Sequence, residues 1–202
     1  MSALIQAQTE AGVDVQVKAT PGGLLYTIPH SVIWTAKGYG YQAMATAAVA
    51  ALVVRPTTTA MATLRNTSSN KLVVMERVFA HNLVAVAESE YQLWLCVHPT
   101  QAAVTNDITV RNSTNGGAAG GSQTHFDNGA TVTDDGWFIW SPQGHTTTVT
   151  TPGGNIYAEI GCRLIVPPGA GISAQVVAIT TSATFTMGFH WFEVPTAELI
   201  NT

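Results

Sequence analysis

Charge is what this sequence has least of. Only 10% of its 202 residues are Asp, Glu, Lys or Arg, against roughly 25% in an ordinary soluble domain. The eight basic residues form no run and the formal net charge is −4. That balance excludes nucleic acid as the main partner, because phosphate binding needs clustered Lys and Arg. Cysteine is almost as scarce. Cys96 and Cys162 are the only two, too few for a disulfide framework, and synthesis in a reducing cytoplasm predicts free thiols. The start, Met1-Ser2-Ala3-Leu4-Ile5-Gln6, lacks the basic region and apolar core of a secretion signal. The longest lipophilic stretch, 43–54, contains Thr46 and is too short for ~30 Å of hydrocarbon. The expectation is a chain made in a cytoplasm, with no membrane partner. The sequons at Asn66-Thr67-Ser68 and Asn112-Ser113-Thr114 are then chance matches.

Motifs of chemistry are missing as well. His30, His81, His98, His125, His145 and His190 stand alone, without a His-x-His or a His-Glu-x-x-His. His190 and Glu193 are three residues apart, which on a strand puts them on opposite faces. No Gly-x-Ser-x-Gly elbow occurs, and Gly120-Gly121-Ser122 lacks the Lys of a phosphate-binding loop. Glu88 and Glu90 read as solvated neighbours, and Asp134-Asp135-Gly136 reads as a turn. The sequence predicts no enzyme, no cofactor and no metal site.

What it has in abundance is period-two alternation. Val13, Val15 and Val17 alternate with polar residues, as do Ala60, Ala62 and Leu64. Ile156, Ala158, Ile160, Cys162 and Leu164 share one face, and Phe185, Met187, Phe189 and Trp191 share another. Two runs apolar on both faces, 72–80 and 91–97, read as central strands covered on both sides. Gly, Pro, Asn and Asp clusters separate these segments, which indicates an all-β sandwich or barrel. Helix composition occurs only at 41–52, where a short helix and an extended packed segment are both open. Breaks at Thr20-Pro21-Gly22-Gly23, Ile28-Pro29 and Gly38-Tyr39-Gly40 predict an extended N-terminal arm over 1–55, before a compact domain over 56–202. Residues 112–128 form a Gly- and Asn-rich loop, long for a compact domain.

Several segments carry a resemblance. Arg55-Pro56-Thr57-Thr58-Thr59-Ala60 is followed by Leu64-Arg65-Asn66, a short polar turn, and Lys71-Leu72-Val73-Val74. Near the end stand Val166-Pro167-Pro168-Gly169 and then Trp191-Phe192-Glu193-Val194-Pro195. Over about residues 55–195 this resembles the jelly-roll structural proteins of tailed bacteriophages. The resemblance implies a jelly-roll-like antiparallel β-sandwich in a virion, assembled as a homotrimer that cements the head shell or caps a fibre. Its partners would be its own copies and the major capsid protein or other virion proteins.

Two roles follow from this. As a capsid decoration or cement protein, the chain would drape its arm over shell subunits. Val13, Val15 and Val17 would add to a sheet edge there, with Leu24, Leu25 and Trp34 as anchors. As an adhesive module at a fibre or spike tip it would bind host glycan, with Trp137 and Trp140 lining the site. The plainer reading of those two tryptophans is a core or subunit-interface strand.

Overall fold

The computed structural model describes residues 6–8, 14–16, 29–84, 89–100, 104, 108–117, 121–140, 144–146 and 155–199. The chain opens with β1 (Gln6–Gln8) and β2 (Asp14–Gln16), an antiparallel pair with Ala7 opposite Val15, hydrogen-bonded to neither larger sheet. Helix α1 (His30–Ala36) follows, then β3 (Gly40–Met44), β4 (Val49–Ala50), β5 (Ala62–Asn66), β6 (Lys71–Val84) and β7 (Ser89–His98). After these come the short β8 (Arg111–Asn112), β9 (Thr124–Asn128), β10 (Phe138–Ile139) and β11 (Gly144–Thr146). Three long strands, β12 (Asn155–Val166), β13 (Gly171–Ala178) and β14 (Thr184–Pro195), and a helical turn, α2 (Thr196–Leu199), close the chain.

These strands make two antiparallel sheets, as the alternation requires. One runs β12-β6-β14-β3-β8, with β4 also on β14; the other runs β10-β7-β13-β5-β9, with β11 also on β7. The predicted all-β sandwich is what forms. Tyr41 and Ala43 of β3, Met75 and Val78 of β6, and Phe185, Met187, Phe189 and Trp191 of β14 point inward from the first sheet. They meet Leu64, Tyr91, Leu93, Leu95, Phe126, Ile172 and Val176 of the second. Aromatic rings bridge the layers: Phe126 stands edge-on to Phe189 at 5.0 Å, and Tyr91 to Phe185 at 5.1 Å. Such pairs contribute about 0.5–1.5 kcal/mol beyond their buried area. Among the described residues, no helix is long and apolar enough to cross a membrane.

The two runs read as doubly covered lie where such strands belong. β6 is held between β12 and β14, and β7 between β13 and β10. The outer side of β7 is closed by Ala60, Val132 and Trp137, which pack on Cys96.

One open choice is decided and two segments differ from the sequence expectation. The 41–52 segment is strand, β3 and β4, because β14 offers it a hydrogen-bonding edge and core positions for Tyr41 and Ala43. The chain joins the sandwich well before residue 56. From Pro29 onward it supplies α1 and the interior strand β3, and Trp34 packs with Val74, Phe192 and Val194. Cys162 leaves the alternating face. A bulge between Glu159 and Leu164 places Gly161 and Cys162 at φ +56° and +62°, the left-handed region. Glu76 sits in a matching irregularity of β6, so the Cys162 thiol donates to the Glu76 carboxylate at 3.2 Å instead of entering the core.

Candidate functional site

Trp137 and Trp140 flank β10 and part company. Trp137 is buried against Ala60, Cys96 and Val132, and its indole N–H donates to the Thr57 carbonyl at 2.7 Å. It staples the 130–137 segment to 55–60 and presents no face to a sugar. Trp140 is half-buried, with the Arg163 guanidinium 5.3 Å above its ring and Phe138 6.0 Å away. Of the arm residues, Trp34 is buried and Val15 stands in β2 opposite Ala7. Val13, Val17, Leu24 and Leu25 lie outside the described residues.

The structure brings together three residues that the sequence keeps apart. His98 is fully buried at the end of β7; its Nδ1 lies 2.9 Å from Asp135 and its Nε2 2.8 Å from the Ser173 hydroxyl. Ser173 in turn bonds Thr63 at 2.9 Å. This is the connectivity of a Ser-His-Asp relay. Yet Ser173 and Thr63 are both 0% exposed in the middle of the sheet, where a substrate carbonyl has no room to approach. These three bonds act as a structural tie. A buried imidazole must satisfy both nitrogens, and doing so ties the Asp134-Asp135-Gly136 turn to β7 and β13. Arg55 grips the same turn through two bonds to Asp134, at 2.8 and 3.1 Å, and holds that carboxyl below its usual range. The turn was legible from composition; the reach of Asp135 to a histidine 37 residues away was not.

The thiols are equally quiet. Burial, then bonding to Glu76, pushes Cys162 up to about 12. Burial also raises Cys96, which is 0% exposed. Neither supplies thiolate at neutral pH. No group of three or more potential metal ligands exists among the described residues.

Glu193 is a buried acid, 1% exposed on β14. Its carboxylate accepts from Ser122 Oγ at 2.7 Å, Gln123 N–H at 2.9 Å and Thr124 Oγ1 at 3.0 Å. It therefore pins the far end of the 112–128 loop to the last strand. His190 points to the opposite face of β14, as strand geometry predicts, and stands edge-on to Phe79 at 5.4 Å.

Two open clefts lie outside the core. One, of about 780 Å³, is lined by Gln42, Phe79, Thr109, Arg111, Asn128 and His190. The other, of about 640 Å³, lies under α1 and α2, where Trp34, Lys37, Glu76, Cys162 and Glu198 meet. Lys37 and Glu198 are ion-paired across it. Neither cleft was foreseen, because each is assembled from residues distant in sequence. No protein-family model matches the chain, and a search of curated proteins finds no relative.

Proposed function

We propose that this chain is a virion structural protein, a decoration or cement subunit of a tailed-phage head that works as a homotrimer. The observation that carries the reading is an aliphatic surface at one end of the sandwich. Val53, Val54, Leu83, Val84 and Ile179 are 51, 65, 41, 54 and 65% exposed, with no charged residue among them. They converge because Thr184 pairs with Val84 on one side and Ala50 on the other, while Ala178 N–H donates to Leu52. Exposed aliphatic residues gathered at the ends of β6 and β13 and after β4, with Glu90 beside Ile179, support an interaction surface there. The scarcity of charge leaves little to keep it from a like surface. Identical patches meeting about a symmetry axis cover one another without any charge pairing.

The strand order supports the jelly-roll part of the reading. β3, β14, β6 and β12 lie side by side, facing β5, β13, β7 and β10. That is the arrangement of eight strands in the two sheets of a jelly roll. The major capsid protein is the proposed partner, reached by residues 1–28, and the site of action is the virion.

Light scattering should give about three chain masses, and Val54→Asp with Ile179→Asp should release monomers. Protein lacking residues 1–28 should remain trimeric but fail to bind undecorated heads, while full-length protein should raise their resistance to heat. A stable wild-type monomer at micromolar concentration refutes the trimer. A truncated protein that decorates normally refutes the arm. Binding to host cells but not to heads would replace this reading with the fibre-tip adhesive one.

A further inference from the structure

The larger cleft has a composition that selects a ligand. β14 carries glycine at position 188, opposite Phe79 on β6. A Cβ there would stand 2.3 Å from Phe79 Cζ and 2.9 Å from the Ala43 carbonyl. The missing side chain lets the Phe79 ring lie down against β14, braced by the edge of His190, and line the cleft floor. Around this ring stand neutral hydrogen-bonding groups: the amides of Gln42 on β3 and Asn128 on β9, and the hydroxyl of Thr109. Arg111 supplies one cation, exposed and donating a single described bond, to the Gly116 carbonyl at 3.1 Å. Among the described residues no Asp or Glu lines the cleft. Of the two acids that act on His190, Glu159 is bridged to Arg77 and Glu76 accepts from the Cys162 thiol.

We propose that this cleft binds an acidic saccharide unit, with its carboxylate on Arg111, its apolar ring face on Phe79 and its hydroxyls on Gln42 and Asn128. Each part of the match has a physical reason. A guanidinium pairs a carboxylate in a two-pronged fork. An aromatic face takes the C–H face of a pyranose, and side-chain amides both donate to and accept from vicinal hydroxyls. The volume lies within the usual range for small-molecule sites, about 300–1,000 Å³. A phosphate-rich ligand fits poorly, because such ligands are held by several cations. Among the described residues that line the cleft the only other base is His190, which burial and Arg77 hold toward its neutral form. The inference goes beyond the shell reading and stands apart from it, since a chain that leaves heads bare can still bind sugar here.

The test uses the full chain and calorimetry with a tetrasaccharide of alternating glucuronate and N-acetylglucosamine. Cellotetraose and inorganic phosphate serve as comparisons. The acidic sugar should bind in the micromolar to millimolar range and shift the His190 ring resonances. Cellotetraose should bind at least about tenfold more weakly, and phosphate should not displace the sugar. Arg111→Ala, at an exposed site with an unchanged melting temperature, should weaken binding about tenfold or more, and Arg111→Lys should fall between. Absence of acidic-sugar binding at millimolar concentration overturns the proposal. So does Arg111→Ala binding like wild type, equal affinity for cellotetraose, or displacement by phosphate.

Discussion

Replacing Glu193 by Gln changes one oxygen to an amide nitrogen and removes a charge, with almost no change in volume. In the native protein each carboxylate oxygen has its own donors. Oε1 takes Ser122 and Thr124, with the Trp191 indole at 3.5 Å; Oε2 takes the Gln123 N–H, with Lys71 Nζ at 3.6 Å. The short contacts decide the energetics. Lys71 also donates to the Gly121 carbonyl at 3.2 Å and is only a distant counter-ion. Hydrogen bonds to a charged group contribute about 1.5–3 kcal/mol each, and a buried donor left unpaired costs about 1–3 kcal/mol. The glutamine can turn its carbonyl to the Gln123 N–H and its NH₂ to the Ser122 and Thr124 hydroxyls, which can rotate to accept, so the loss comes from the charge that strengthened these three bonds. The expected loss is therefore about 2–4 kcal/mol, and for a chain of this size about 2–4 °C of melting temperature goes with each kcal/mol.

Urea denaturation measures the loss. Hydrogen exchange at the Gln123 amide locates it, because that N–H should lose protection before the core does. Lys71→Met should cost no more than about 1 kcal/mol, as a partly exposed ion pair does. If Glu193→Gln costs less than about 1 kcal/mol, the carboxylate is not what holds the loop. If Lys71→Met costs more than Glu193→Gln, the ion pair dominates and the ordering of contacts by length is refuted.

Three further outcomes follow from the site geometry. In native protein at pH 8 both cysteines should resist a disulfide reagent, since Cys162, pushed up to about 12, is only ~10⁻⁴ ionised there, and Cys96 is raised by burial and 0% exposed; denatured, unreduced protein should show two reactive thiols. Burial depresses His190, so its contribution is whole above the ordinary histidine value of about 6.5 and is lost as pH falls through the lower folded value; His190→Gln should flatten that part of the stability profile, and an unchanged slope refutes the assignment. A fluorophosphonate should leave Ser173 unlabelled in the folded protein, because its hydroxyl is sealed between His98 and Thr63; labelling would show that the sheet opens there.

The sequence made the sandwich legible because alternation is a local signal. Phe185, Met187, Phe189 and Trp191 reach one core through nothing but their spacing. It concealed whatever depends on a break in that spacing. At the bulge of β12 two left-handed residues turn Cys162 out of the face shared by Ile160 and Leu164, and the one local signal is Gly161 inside the strand pattern. Trp34 was misplaced for a related reason. Frequent Gly and Pro between 20 and 40 resemble an arm, whereas a short helix between two breaks can still bury its one large side chain. The polar sites join residues far apart in sequence, His98 bonded to Asp135 and Gln42 lining one cleft with Asn128, which only the tertiary fold brings together.

That sheet order also bears on how a chain so poor in charge avoids indiscriminate association. Open strand edges are the usual hazard. The longest edge is β12, paired only with β6. Its free side is interrupted where Gly161 and Cys162 turn left-handed, and there the Arg163 side chain donates to the Ile160 and Glu159 carbonyls at 2.8 and 2.9 Å. A bulge and a cation at mid-strand deny a second strand the continuous ladder it would need. The remaining edges of the two sheets, β4, β8 and β10, are two residues long, β11 three and β9 five. Backbone addition to the sandwich is thus disfavoured wherever the described strands end a sheet. The loop end with Val53, Val54, Val84 and Ile179 carries no such device. On the proposed reading, association at that end would rest on side-chain packing, and symmetry rather than strand pairing would set the number of copies.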